Sequence, residues 1–415
     1  MTDTKIDVAK LVKVFGPNPR AVDAALSLLA AGESKDDILA RTGGVVAVAG
    51  VSLDVQEGEI YMIMGLSGSG KSTLVRCLNR LIEPTSGSVR IDDEDISKQS
   101  KSELREMRRT RMSMVFQNFA LLPHKTVVEN VEFGLKIRGE AKEKRAERAM
   151  ETLDQVGLKG WEQHYPDNLS GGMQQRLGLA RALANDPDIL LMDEPFSALD
   201  PLIRNEMQDE LIELQQRLRK TIVFITHDFQ EAIKLGDRIA IMRDGEIIQV
   251  GGPAELVSQP ADDYVQKFTQ EIDRGRVFTA ESIMHTGESV IREDGNWDAA
   301  SRAFNGSQND CLFVLNQTGQ PVGYLLENDV GDPSMAGDKP IQNAMATVFP
   351  RVSPHQRLAD IYAQCSSEAP MAVVDEQGLF LGRVSIRDIV GQLAASGSTP
   401  ASSAAATVKL DSHDE

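Results

Sequence analysis

Nine consecutive residues, Gly65, Leu66, Ser67, Gly68, Ser69, Gly70, Lys71, Ser72 and Thr73, carry glycines, a lysine and hydroxyls in the spacing of a phosphate-binding loop. The glycines let successive backbone N–H groups turn inward around a phosphate, Lys71 neutralises phosphate charge, and the Ser72 hydroxyl can ligate Mg²⁺. The loop has the context this chemistry needs: an apolar run, IYMIM, comes before it, and a helical stretch, TLVRCLNRL, continues from it. A second group lies far downstream, where Ile189 to Met192 lead into Asp193 and Glu194. Adjacent carboxylates at the end of a buried strand are costly unless a cation faces them. Mg²⁺ with a phosphate chain would meet that cost. Asp193 is then expected to hold the metal through water, and Glu194 to be the general base for an attacking water.

Both groups need strands to aim them. Between about residues 45 and 250, short apolar runs alternate with charged helical stretches, the pattern of an α/β fold with a mostly parallel sheet. Glu59 to Met64, Asp188 to Met192 and Thr221 to Ile225 are apolar on both parities and read as buried strands. Leu169 to Leu183 and Leu202 to Leu218 have helical spacing. Ahead of the sheet, Val22, Leu26 and Leu29 form an apolar helix stripe that stops at Gly32, and Ser34 with Asp37 forms a capping box. The expected divisions are a segment 1–44 with a helical insertion and an α/β domain 45–275 with a helical part at about 118–185. Two related segments, 278–335 and 338–395, follow. In them Gly319, Gly323 and Asp329 recur as Gly378, Gly382 and Asp388, at a constant offset of 59. Each copy reads strand, glycine turn, strand, helix start. Residues 396–415 read as a flexible tail with an acidic tip.

Composition narrows the class. Forty-four Lys plus Arg against 62 Asp plus Glu leave a net charge of −18, a poor basis for general nucleic-acid binding. Cys77, Cys311 and Cys365 are too scattered for a disulfide framework or a cysteine zinc site, which suits a reducing compartment. The N-terminus shows no basic stretch followed by an apolar one, and no apolar run approaches the roughly 18 residues of a membrane helix. Such a chain is not expected to cross a bilayer itself, but it could sit on a membrane by docking to a partner.

Five ordered motifs carry a family resemblance. The run Leu169-Ser170-Gly171-Gly172-Met173-Gln174-Gln175-Arg176 resembles the signature motif of ATP-binding cassette ATPases. Gln117 resembles that family's Q-loop glutamine, Ser197 to Asp200 its D-loop, and His227 its switch histidine, all in the family's order around the phosphate loop. The resemblance implies that ATP and Mg²⁺ bind at residues 65–73, with Ser72, Gln117 and Asp193 around the metal and Glu194, Gln117 and His227 in hydrolysis. It also implies a homodimer in which Ser170, Gly171, Gly172 and Gln175 reach the partner's ATP, while Ser197 and Asp200 line the seam. Free N–H groups where the Ser170 helix opens suit a γ-phosphate. For His227 the plainer alternative is a core histidine. The family stacks adenine on an aromatic, and Phe15 is the candidate; it lies 50 residues before Gly65, a gap the helical insertion would explain, and a core role is the alternative.

The insertion, the runs GLSGSGKST and MDEPFSALDPLIRNEMQDEL, and the C-terminal repeat together resemble the ATPase subunit of glycine betaine, proline and choline importers. That subunit's partners are a membrane permease and an extracytoplasmic solute-binding protein, and it sits on the cytoplasmic face of the bacterial inner membrane. An importer of another small solute, such as an amino acid, is the near alternative. A soluble cassette protein of repair or translation would normally hold two ATPase units, and this chain has one such lysine loop. A non-enzymatic adenylate sensor is disfavoured by Glu194. The repeat resembles paired cystathionine-β-synthase domains, in which Ser385 and Asp388 would bind a ribose; a structural or ionic-strength-sensing module is the alternative. Lys98, Lys101, Arg105, Arg108, Arg109 and Arg111 cluster in an otherwise acidic chain, and Ser100 with Glu103 caps a helix there, read as a solvated basic face or a contact for anionic lipid. The stretch LLPHKTVVEN after Gln117 either docks the permease or packs within the domain.

Overall fold

Apolar runs of five or six residues become the central strands. The computed structural model describes residues 3–117, 119–270, 272–286, 290–305, 311–327, 340–343, 345–364 and 369–394, so the expected tail and Asp329 of the first repeat lie outside the described residues. The chain divides into two compact units between Thr269 and Gln270.

The strands of the first unit are β1 (Thr4–Phe15), β2 (Val45–Gln56), β3 (Ile60–Met64), β4 (Ser86–Ile91), β5 (Glu94–Asp95), β6 (Met112–Phe116), β7 (Ile189–Asp193), β8 (Thr221–Thr226), β9 (Arg238–Arg243) and β10 (Glu246–Gly251). One sheet has the order β10-β9-β3-β8-β7-β6 and is parallel except for the β9–β10 hairpin. Every residue of β3, β7 and β8 is buried, as expected of parallel strands covered on both faces. The second sheet, β2-β1-β4-β5, is antiparallel. Side chains from both sheets, among them Ile6, Leu11, Val48, Tyr61, Ile63 and Ile225, share one core with Leu74 and Leu78.

Residue 44 is therefore no boundary between folded parts. β1 pairs along its length with β2, with Phe15 opposite Val45, and the compact unit ends at Thr269 rather than 275. Between them the insertion folds as helices Pro19–Ala30 and Lys35–Thr42. The Asn18 side chain accepts the Ala21 N–H at 3.0 Å, the Ser34 hydroxyl accepts that of Asp37 at 3.1 Å, and left-handed Gly43 ends the second helix. Val22, Leu26 and Leu29 pack against Val14, Ala25, Ile38 and Val46, which seats the expected stripe on the β1–β2 ribbon. Helices Val127–Ile137, Lys142–Gln155 and Gly171–Leu183 form the helical part.

The basic stretch is smaller on the surface than its sequence suggests. Ser100 and Glu103 form the expected capping box on helix Lys101–Thr110. Arg111, however, pairs with Asp92 and Glu94, Lys98 with Asp95, and Arg108 donates to the Asn79 and Arg80 carbonyls. Lys98, Lys101, Arg105 and Arg109 remain exposed, with Arg109 3.9 Å from Glu106.

The second unit has β11 (Val290–Arg292), β12 (Cys311–Leu315) and β13 (Pro321–Leu326) in one sheet, and β14 (Arg351–Val352), β15 (Met371–Val374) and β16 (Phe380–Val384) in another. Each joins a parallel edge strand to an antiparallel hairpin, with turns at left-handed Gly319 and Gly378. Phe313, Tyr324, Phe349, Ala372 and Phe380 form a shared apolar cluster. No helix among the described residues is long and apolar enough to cross a membrane.

Candidate active site

The carboxyl ends of four parallel strands converge on one region, the edge where open α/β sheets bind ligands. β3 delivers the loop Gly65–Gly70, β6 delivers Gln117, β7 delivers Asp193 and Glu194, and β8 delivers His227. Pairing of Phe116 with Asp193 and of Asp193 with Ile225 fixes three of these exits side by side.

The loop fits a phosphate chain closely. A Cβ at Gly65 would lie 2.1 Å from the Met242 carbonyl oxygen, and one at Gly70 2.1 Å from that of Ala47, so neither position admits a side chain. Gly245, in the turn after β9, donates its N–H to the Ser69 carbonyl at 2.9 Å and buttresses the loop from behind. The Ser69 hydroxyl is buried with no partner among the described residues. The Lys71 ammonium, also buried, donates to the Gly65 and Leu66 carbonyls at 2.8 and 3.0 Å. Burial lowers its pKa, against which the charges of Glu194 and Asp193 work upward. A desolvated ammonium within a ring of backbone groups is a ready partner for phosphate oxygens.

Ser72 donates its hydroxyl hydrogen to Asp193 Oδ1 at 2.8 Å, which brings together two of the three expected Mg²⁺ donors; both are hard oxygens of the kind Mg²⁺ takes. Gln117, the third, is exposed at the end of β6. Arg76 pairs with Asp193 Oδ2 at 3.1 Å and was missed from the sequence, although it sits four residues past Ser72, on the same helix face. Glu194 Oε2 lies 3.0 Å from His227 Nδ1, so the two can share a proton. His227 is more than half exposed, which removes the core-histidine alternative.

The remaining motifs lie at helix starts. Ser170 is the N-cap of helix Gly171–Leu183 and accepts the Met173 N–H at 3.4 Å, leaving an exposed N-terminus at Ser170 and Gly171. Gly172 lies under Ile203, where a Cβ would meet its Cγ2 at 2.6 Å. Gln175 departs from expectation: it is 1 % exposed, on the inner face of the helix with its Oε1 unpartnered, and is not available to a partner's nucleotide. Asp200 accepts the Leu202 and Ile203 N–H groups and caps helix Pro201–Leu218, while the Ser197 hydroxyl donates to the Glu194 carbonyl at 3.0 Å. Leu202, beside Asp200, is 69 % exposed.

Phe15 comes close to the loop through strand pairing. It faces Val45, two residues before the Ala47 carbonyl that abuts Gly70, and its ring is 42 % exposed with Lys13 Nζ 4.8 Å from the centroid. A core role is thereby excluded. In the second unit, Ser385 Oγ donates to Asp388 Oδ2 at 2.7 Å, and His285 Nε2 lies 3.0 Å from Oδ1. Burial works upward on the Asp388 carboxyl, but the hydrogen bonds from Ser385 and His285 outweigh it and hold the pKa below the ordinary value.

Comparison with known proteins accords with this geometry. Residues 48–197 match the family model described as ABC transporter. The glycine betaine transport ATP-binding protein OpuAA of Bacillus subtilis is 47% identical over 391 residues, 94% of this chain and 92% of its own. The trimethylamine N-oxide transport system ATP-binding protein TmoW of Ruegeria pomeroyi is 53% identical over 334 residues, 80% of this chain and 92% of its own. A dimeric ATP-binding cassette in a post-hydrolysis state, bound to ADP and Pi, is 34% identical with a TM-score of 0.50, covering 60% of this chain and 98% of that one. With a phosphate loop, paired carboxylates and a signature helix all in place, and relatives matched over most of its length, the chain belongs to the family of ATP-hydrolysing, ATP-binding subunits of ABC transport systems of the glycine betaine type.

Proposed function

We propose that this subunit hydrolyses ATP to drive import of glycine betaine or a related quaternary amine through a membrane permease, fed by an extracytoplasmic solute-binding protein. The observation that carries the reading is the juxtaposition of Ser72 with Asp193 and of Glu194 with His227 at neighbouring strand ends. The backbone of residues 65–70, with Lys71, Ser72 and Thr73, holds the phosphates, and Phe15 offers the adenine a face. Ser72, Asp193 and Gln117 are the metal's donors; Mg²⁺ when bound neutralises charge that develops on the phosphates. Glu194 orients the attacking water and takes its proton, and His227 Nδ1 fixes the carboxylate that does so. Ser170 and Gly171 offer free N–H groups to the ATP of a second copy, with Ser197 and Asp200 at the seam; the solved cassette it resembles is itself a dimer.

The permease docks, in this proposal, on the segment after Gln117. A groove of about 380 Å³ opens there, lined by Met112, Met114, Phe116, Leu122, Phe133 and Arg181, and it holds the subunit on the cytoplasmic face of the membrane. The second unit acts as a regulatory pair of cystathionine-β-synthase domains with Ser385 and Asp388 as its ligand-facing groups. Because one relative is named for trimethylamine N-oxide, the decisive assay offers that solute beside glycine betaine. Vesicles carrying the subunit with its permease and binding protein should take up a labelled quaternary amine only with internal ATP, and Lys71→Ala should abolish uptake. ATP-driven uptake of amino acids alone would overturn the substrate; hydrolysis blind to the permease would overturn the transport role.

A further inference from the structure

Arg181, on the last turn of the signature helix, is a half-buried guanidinium whose hydrogen bonds go to two successive backbone carbonyls, Phe119 at 2.9 Å and Ala120 at 2.5 Å. Partial burial lowers its pKa, and no carboxylate among the described residues pulls it back. A half-buried cation with no carboxylate partner among the described residues is a poor choice for mere packing, which an apolar side chain would do better. The two residues it holds are themselves unusual: Phe119 and Ala120 have φ of 53° and 49°, left-handed backbone that neither side chain favours. Such conformations persist where the surroundings over-determine them, and a planar guanidinium fork bridging adjacent carbonyls does this in a way a single ammonium cannot. The held segment follows Gln117 and leads to Leu122 in the groove, which Arg181 also lines.

The other end of the same helix is Ser170. Arg181 lies eleven positions after Ser170, about 16 Å along a continuous helix. Resting on the transport reading above, we propose that Arg181 is a positioning residue that fastens the segment after Gln117 to the signature helix, so that a permease seated in the groove moves Ser170 toward or away from the partner subunit's ATP. The coupling needs no contact between Arg181 and nucleotide: displacement of the strained segment is carried by the two carbonyl bonds to one rigid rod.

The test compares Arg181→Met, which fills the space without donors, with Arg181→Lys, which keeps the charge and loses the fork. Each full-length variant is assayed for MgATP affinity as the isolated subunit, for thermal midpoint, and for hydrolysis with and without the permease in vesicles. Arg181→Met is expected to keep MgATP affinity within about twofold while permease-dependent hydrolysis falls about tenfold or more, with Arg181→Lys between it and the parent. Permease-dependent hydrolysis at the parent level in Arg181→Met would overturn the proposal. So would a parallel fall of affinity, thermal midpoint and hydrolysis that Arg181→Lys does not relieve, which marks a packing role only. Because the comparison reads permease-dependent hydrolysis, a parent transporter indifferent to quaternary amines would overturn the substrate assignment and leave this result intact.

Discussion

Glu194 stands on left-handed backbone, with φ of 47°, and is kept there by its own N–H donating to the Ile225 carbonyl at 3.1 Å and by Ser197 donating to its carbonyl. The strain aims a carboxylate that would otherwise continue into β-structure, and His227 completes the aim. Glu194→Gln keeps shape and hydrogen-bonding reach but cannot accept a proton. We expect kcat to fall by about 10² to 10⁴ with MgATP affinity little changed, measured by steady-state hydrolysis beside equilibrium nucleotide binding. Turnover near the parent rate would remove Glu194 from the base role.

At the scale of elements, two helices after the strand ends are tied together below the site. Arg204 on helix Pro201–Leu218 donates to the Leu199 carbonyl at 3.1 Å and lies 3.6 Å from Asp228, the N-cap of helix Phe229–Leu235 beside His227. Beneath it Gln208 donates to Glu231 at 3.0 Å, both buried. Burial raises the Glu231 pKa above its ordinary 4.5, only partly offset by hydrogen bonds from Thr226 and Gln208. The folded state thus holds this proton more tightly than the unfolded chain, so the contribution to stability is full below 4.5 and is lost as pH rises through the raised folded value. Above the raised folded value an ionised Glu231 opposes folding, and Glu231→Gln, which keeps the acceptor for Gln208, should raise the urea midpoint at alkaline pH. The gain should shrink as the pH is lowered toward the glutamate value; a gain independent of pH would show that its charge is not the cause.

For the whole molecule, the exposed N-terminus at Ser170 and the exposed Leu202 beside Asp200 argue for a second copy over the site. If each ATP lies between Lys71 of one subunit and Ser170 of the other, Lys71→Ala and Ser170→Arg homodimers are both inactive. Mixing them at equal amounts gives composite dimers with one intact site, so hydrolysis should return to roughly a quarter of the parent level. Hydrolysis that stays absent on mixing, or an active Ser170→Arg homodimer, would refute the shared site.

Local chemistry made much of this legible. Glycine spacing, Lys71, the strand-terminal Asp193 and Glu194 and the signature run are short-range patterns, because loop conformation and helix starts are set by neighbours in the chain. The alternation of apolar runs with helices likewise fixed a parallel sheet, since strands buried on both faces must be apolar at every position. Long-range pairing decided the rest. Only the β1–β2 register carries Phe15 across the insertion to Gly70, and only helix packing against the core turns Gln175 inward while its neighbour Ser170 faces out. Arg108 and Arg111 read as surface charge until the fold brings the Asn79 carbonyl and Asp92 to them. Nothing in the local sequence marks Arg181, whose partners, two left-handed carbonyls, are set against it only by the fold. A side chain's partner is chosen by whatever the tertiary structure places within about 3 Å, and for Arg108, Arg111 and Arg181 that neighbour is far along the chain.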